Sequence, residues 1–331
     1  MENMELNFWQ DKRILVTGAT GIVGSWLVKE LLERGAYTVA LLRDADPQSE
    51  LFRSGDLNRI HVVNGQLEDF TALERAVNKH EVDTVFHLGA QAIVGTALRS
   101  PLATFEANIR GTFNLLEACR QHSDLVRRVV VASSDKAYGE SAHLPYTEEM
   151  PLNGRYPYEV SKSCTDLISQ SYFHTYGLAV TVARCGNIYG GGDLNWSRIV
   201  PGTIRSLAQG KRPVIRSDGL YLRDYIYVKD IVRAYLCLAE RSGKKNVKGG
   251  AFNFGPEKPF SVLEIVGVLQ RLMGCENLTP EIVNNVQGEI KNQYLSSAKA
   301  EKLLGWKPEY SLEIGLQETV DWYQRYFIRA R

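Results

Sequence analysis

Tyr158 and Lys162 stand four residues apart in Tyr158-Glu159-Val160-Ser161-Lys162, a spacing that puts both side chains on one face of a helix. An ammonium beside a phenol favours the phenolate, so the pair predicts a tyrosine whose pKa Lys162 draws toward neutrality. Such a tyrosine takes a proton from a substrate hydroxyl while a hydride leaves the same carbon. The hydride needs an acceptor, and the chain offers a place for one. Thr17-Gly18-Ala19-Thr20-Gly21-Ile22-Val23-Gly24 is a GxxGxxG turn between an apolar run and a helical segment. Glycine permits a tight turn and lets a pyrophosphate approach the next helix, whose N-terminal N–H groups and dipole favour an anion. The turn therefore predicts a dinucleotide held at Gly18, Thr20, Gly21, Ile22, Val23 and Gly24.

The second apolar run ends Leu41-Leu42-Arg43-Asp44. Arg43 stands where an acid for the adenosine ribose is expected, and its guanidinium suits a 2′-phosphate and NADP. Asp44, one residue on, suits ribose hydroxyls and NAD. The residues leave both open. Asp69 follows the third run, where it either accepts from the adenine amine or stands in a solvated loop.

These residues need a scaffold. Apolar runs of strand length at 13–17, 38–42, 61–63, 84–88, 128–133 and 179–184 alternate with helical patterns such as 22–34, 70–79, 104–121 and 157–176. Alternating βα units predict an α/β fold with a doubly wound parallel Rossmann-type sheet, whose ligands bind at the carboxyl ends of the strands. Beyond Ile188 the texture turns to a glycine-rich loop, scattered prolines and shorter elements. Residues 1–188 are expected to form the dinucleotide-binding domain and 189–331 a smaller mixed α/β substrate lobe, with some segments returning to the first domain.

Bulk properties exclude other classes. The 331 residues carry 39 Lys plus Arg against 38 Asp plus Glu, leaving no basic excess for a nucleic-acid partner. No run of eighteen apolar residues occurs, and the N-terminus has acids and amides where a secretory leader needs a basic then an apolar segment. A cytoplasmic protein without membrane association is expected. Cys119, Cys164, Cys185, Cys237 and Cys275 form no CxxC pair and have no histidine at ligand spacing, so neither disulfides nor a metal site is predicted.

Seven segments in order, TGATGIVG (17–24), HLGAQ (87–91), SSDKAYG (133–139), YEVSK (158–162), RCGNIYG (184–190), RDYIYVKD (223–230) and KAEKLLGWKP (299–308), span nearly the whole chain. Together the chain resembles the extended short-chain dehydrogenase/reductases that act on nucleotide sugars, within the NAD-dependent epimerase/dehydratase family. The resemblance implies a tightly bound, recycled NAD, with NADP left open, and a nucleotide-diphosphate sugar as substrate. It implies Tyr158 and Lys162 as the catalytic pair and Ser134 as the hydrogen-bond partner of the sugar hydroxyl. Asn187 and Arg223 match positions that hold the diphosphate, whose geometry a guanidinium suits. Helices 104–121 and 157–176 would form a homodimer interface. One departure is that Val286-Gln287-Gly288-Glu289 lacks the arginine many relatives carry there; Lys291 is the expected substitute.

Within that resemblance Asp135-Lys136 separates two chemistries. Inverting C4 needs only tyrosine and cofactor, whereas removing water needs a base at C5 and an acid for the C6 hydroxyl. Lys136 as base and Asp135 as acid resemble the CDP-glucose 4,6-dehydratase type, with a CDP- or UDP-linked sugar. The alternatives are a C4 or C5 epimerase, including one acting on a 5,6-unsaturated UDP-sugar, and a non-catalytic cofactor-sensing protein. Gln91 either approaches the nicotinamide or sugar or packs. His87 reads as a satisfied core histidine, and Trp9, Trp26, Trp306 and Trp322 as packing aromatics.

Overall fold

In a parallel sheet covered on both faces every strand residue is buried, so a run of apolar residues is itself the strand signal. The computed structural model describes residues 8–285 and 289–329. The start of the N-terminal segment read for a leader, and Val286 to Gly288 of the departure noted above, lie outside the described residues. Six strands form where the apolar runs lie: β1 (Arg13–Thr17), β2 (Tyr37–Leu42), β3 (His61–Asn64), β4 (Thr84–His87), β5 (Arg128–Ala132) and β6 (Val180–Cys185). A seventh, β7 (Ala251–Phe254), comes from far downstream and pairs in parallel with β6. The order is β7-β6-β5-β4-β1-β2-β3, all parallel, and it reverses between β1 and β4, which opens a crevice above their carboxyl ends.

Alternation along each strand divides the core in two. Ile14, Val16 and Val130 face one layer with Leu27, Val28, Tyr235 and Phe252. This layer holds α1 (Ile22–Glu33) and α5 (Val228–Arg241). Leu15, Val129 and Val131 face the other with Leu73, Val77, Leu115 and Leu116. There lie α2 (Phe70–Lys79) and α3 (Gly111–Gln121), with α4 (Pro157–Tyr176) packed beside α3. Trp9, Trp306 and Trp322 are buried, and Trp26 donates its indole N–H to the Gly191 carbonyl.

The helix expected over 104–121 is present but not regular. An α-turn at Pro101–Phe105 passes through a π-turn at Glu106–Arg110 before α3 begins. The Asn108 carbonyl accepts from the hydroxyls of Thr112 at 2.5 Å and Thr165 at 3.0 Å, which draws it off the regular helical ladder.

The C-terminal portion has its own apolar cluster, in which Tyr189, Ile204, Leu207, Ile265, Leu269, Leu316 and Tyr323 meet. Short strand pairs frame the crevice from that side: Asn187–Tyr189 with Tyr225–Tyr227, and Leu222–Arg223 between Phe260–Ser261 and Asn292–Gln293. Among the described residues no helix is long and apolar enough to cross a membrane, and no cluster of metal-ligating side chains occurs.

Candidate active site

A cavity of about 1050 Å³ opens above the carboxyl ends of the strands. One wall is the glycine turn, through Gly18, Thr20, Gly21, Ile22, Val23 and Gly24. Gly18 has φ +74°, and a Cβ there would fall 2.7 Å from the Gly89 nitrogen. A Cβ on Gly24 would fall 2.0 Å from the Gly18 carbonyl oxygen. The Gly21 N–H donates to that same oxygen at 3.0 Å, and α1 starts at once. A turn with no room for side chains, aimed at a helix N-terminus, fits a dinucleotide pyrophosphate. Gly24→Ala is expected to cost about 1–3 kcal/mol of stability by overpacking and to weaken NAD binding at least about tenfold, as read by denaturant unfolding and NAD titration. An unchanged affinity would show that this turn does not hold the cofactor.

The other cofactor candidates stand apart from the cavity. Arg43 pairs with Asp44 at 2.6 Å, both side chains about 70% exposed at the end of β2. Asp69 caps α2, its side chain accepting from the Ala72 N–H at 3.1 Å. Gln91 is engaged locally: its N–H donates to Asn108 Oδ1 at 2.7 Å and its Oε1 accepts from the Ile93 N–H at 2.7 Å.

The opposite wall is a one-turn helix at Asp135–Tyr138, directly after β5. Ser134 starts it, its Oγ accepting from the Lys136 N–H at 3.2 Å and donating to Asp135 Oδ1 at 2.8 Å. The far end is pinned by Tyr138, whose hydroxyl donates to Asn253 Oδ1 and accepts from Arg184, both at 2.7 Å. Arg184 is locked in turn by a bidentate pair with Asp166 of α4 at 2.7 and 3.0 Å, the two side chains 3% and 0% exposed. Removing one member of so buried a pair leaves an uncompensated charge. Asp166→Ala is therefore expected to cost about 3–5 kcal/mol in denaturant unfolding; a loss below about 1 kcal/mol would show that the turn is held by other means.

Tyr158 enters from the first turn of α4, fixed by Pro157 at the helix start and by the Glu159 carboxylate accepting from the Arg155 and Tyr156 N–H groups. Its phenol hydrogen-bonds Ser134. The expected effect of Lys162 on it is not what the structure shows. Burial pushes the Tyr158 phenol up to about 12, and the cation that opposes this is Arg198, tied to buried Asp193 at 3.1 Å. Lys162 turns its Nζ to the Ala132 carbonyl at 2.8 Å, and burial lowers its own pKa to about 8.

Asp135 and Lys136 both line the cavity. Burial raises the Asp135 carboxyl above its ordinary range, with Lys136 opposing, and Oδ2 has no partner. Burial lowers Lys136, again with Asp135 opposing, and its Nζ donates to Gln293 Oε1 at 3.2 Å. Beneath them Asp224 is fully buried with Oδ1 unpartnered, and burial together with the Asp135 charge holds it well above the carboxylate range. Asn187, Arg216 and Arg223 line the side nearest the C-terminal strands, and Lys291 does not. The Arg223 guanidinium donates to the carbonyls of Leu222, Ile290 and Lys291 and lies 3.9 Å from Glu289.

His87 sits behind this wall. Thr112 Oγ1 gives its proton to the Asn108 carbonyl and so accepts from His87 Nε2–H at 3.1 Å, which leaves Nδ1 of the neutral ring to accept from Thr17 Oγ1 at 2.8 Å; Thr17 Oγ1 also accepts from the Gly89 N–H. Burial holds this imidazole neutral, its pKa lowered to about 3. Asn108 continues the chain, its amide donating to Ser161 Oγ at 2.9 Å. Sequence reasoning missed Asn108, Arg198, Asp224 and Gln293. Asp224 falls inside the segment RDYIYVKD, but only strand pairing puts it and Gln293 under the site.

The model of the NAD dependent epimerase/dehydratase family matches residues 14–255. The chain belongs to that family. Among curated relatives of this epimerase/dehydratase chain, the CDP-glucose 4,6-dehydratase of Salmonella typhimurium is 31% identical, covering 97% of this chain and 93% of that protein. The UDP-glucose 4-epimerase of Halalkalibacterium halodurans is 30% identical over 95% of this chain and 96% of that one. Among solved structures, the dTDP-glucose 4,6-dehydratase DesIV of Streptomyces venezuelae, with NAD and TYD bound, superposes with a TM-score of 0.85 at 28% identity, covering 95% of this chain and 97% of that one. The cofactor of the family is NAD, and its members act on nucleotide sugars as 4,6-dehydratases and 4-epimerases.

Proposed function

We propose that this protein is a nucleotide-sugar 4,6-dehydratase, converting a nucleoside-diphosphate hexose to its 4-keto-6-deoxy form. The observation that carries the reading is the pair Asp135 and Lys136, both facing the cavity of Tyr158, with burial favouring the protonated acid and the neutral amine. Those are the forms an acid at C6 and a base at C5 require; a surface ion pair would hold both in the opposite forms.

Bound NAD supplies the hydride acceptor at C4 and the donor at C6, and Gly18 to Gly24 are the residues that would hold it. Tyr158 takes the C4 hydroxyl proton, with Ser134 sharing a hydrogen bond to the same group. Lys162, anchored on the Ala132 carbonyl, contributes positive charge behind the reacting carbon. Once C4 is a ketone the C5 proton is acidic; Lys136 takes it and the electron pair moves toward the C4 oxygen. Asp135 gives its proton to the C6 hydroxyl, which leaves as water as the electron pair closes the C5–C6 double bond; once C6 is reduced, Lys136 returns a proton to C5. Arg223 and Asn187 meet the diphosphate.

The same reading makes the protein a cytoplasmic homodimer; the dimer is supported by the exposed apolar side chains Phe113 and Leu167 on the helices expected at the interface and Leu102 just ahead of the first.

The deciding experiment incubates the protein in deuterated water with CDP-glucose, UDP-N-acetylglucosamine, GDP-mannose, dTDP-glucose and UDP-glucose separately. Loss of one water with deuterium at C5 is the expected result. Isomerisation without water loss would replace the reading by a 4-epimerase, the activity named for the Halalkalibacterium halodurans relative.

A further inference from the structure

A base must be held still without being tied up. Lys136 Nζ makes one side-chain hydrogen bond across the site, to Gln293 Oε1 at 3.2 Å, over 157 residues of chain. Gln293 is 0% exposed and ends the two-residue strand Asn292–Gln293. That strand runs parallel to Leu222–Arg223 with Gln293 opposite Arg223. Its Nε2 is buried and has no partner, so Oε1 on Lys136 is the side chain's hydrogen bond.

We propose that Gln293 is the positioning residue of the C5 base: its amide oxygen binds one N–H of the Lys136 amine and leaves the nitrogen lone pair free for the sugar proton. This rests on the dehydratase reading. A neutral amine has two N–H groups and one lone pair, and an amide oxygen engages only the former. A carboxylate at this place would do the opposite, since an opposite charge within a few ångströms favours the ammonium, which has no lone pair to offer. The charges facing Lys136 are Asp135, Glu289 and Glu159, which favour the ammonium, and Arg223, which disfavours it. Burial outweighs these charges and favours the free amine, and a neutral acceptor adds nothing on the ammonium's side. The proton transfer balances within the site: the C5–H bond breaks, an N–H bond forms on Lys136, and the electron pair delocalises onto the C4 carbonyl.

The test uses the full chain with NAD and the five nucleotide sugars, reading cofactor reduction by near-ultraviolet absorbance and C5 exchange by deuterium incorporation across pH. Gln293→Glu is expected to move the acidic limb of C5 exchange upward by about 1–3 pH units, the shift an adjacent opposite charge produces. At a fixed pH below that limb this is a loss of about tenfold per unit, recovered at high pH. Gln293→Met, of similar size without an acceptor, is expected to slow C5 exchange about ten- to a hundredfold at every pH relative to cofactor reduction. A role in packing alone would depress both readouts together and leave the limb in place. Wild-type exchange rates and pH profile in both variants would overturn the assignment, and Gln293→Met decides alone if the buried glutamate prevents folding. Absence of C5 exchange in the wild type with every sugar would instead remove the dehydratase reading, and this inference with it.

Discussion

Tyr158→Phe is expected to leave a folded protein that neither reduces its cofactor nor forms product. The ring that packs at the start of α4 is retained, and one hydrogen bond to Ser134 is lost, worth about 0.5–1.5 kcal/mol. What disappears is the group that removes the C4 hydroxyl proton. General bases contribute about 10²–10⁴-fold, and every later step waits on this one, so the whole turnover falls by that factor. Lys162 is no substitute, being engaged with the Ala132 carbonyl. In the wild type the oxidation step should rise with pH through the neutral range, because burial holds the phenol high and the active phenolate is the minority form. Mixing with a nucleotide sugar and recording near-ultraviolet absorbance checks this. Full activity in the variant would sink the assignment of Tyr158.

Lys136→Ala is expected to split the reaction. Oxidation at C4 depends on Tyr158 and should continue, while removal of the C5 proton loses its base and slows by about 10²–10⁴-fold. Reduced cofactor should then accumulate with a 4-keto sugar still carrying its C6 hydroxyl, and deuterium should not enter C5. The outcome discriminates because a 4-epimerase has no step at C5: there the same substitution would leave turnover intact. Unaltered C5 exchange would exclude Lys136 as the base.

Much of the fold is legible in the sequence because parallel sheets make strands simple. β2 is buried at five of its six residues, and its sequence, YTVALL, is largely an apolar run. The glycine turn is legible for the same kind of reason: at Gly18 and Gly24 there is no space for another residue. What stays hidden depends on partners far along the chain. No local pattern reveals the π-turn at Glu106–Arg110 inside the helix expected over 104–121, where the Thr165 hydroxyl donates to the Asn108 carbonyl. Asp69 is an acid after a strand in either reading, and only the arrival of α2 makes it a cap. The spacing of Tyr158 and Lys162 places them on one face, yet desolvation and the arginine from the 198 loop govern the phenol, and neither is visible in spacing. No role for Gln293 can be read until its strand is laid beside Arg223.

The late arrival of β7 shapes how the molecule comes into being on the ribosome. β6 is complete once Cys185 has emerged, but its outer edge stays bare until Ala251–Phe254 follow, and the N–H of Val182 and the carbonyl of Val180 wait for Gly250 and Gly249. Throughout that interval a two-sided apolar strand, VTVARC, is open to pairing with any other nascent chain. The same dependence constrains ancestry: a C-terminal portion exchanged between relatives must bring along, or leave behind intact, the strand that seals its neighbour's sheet.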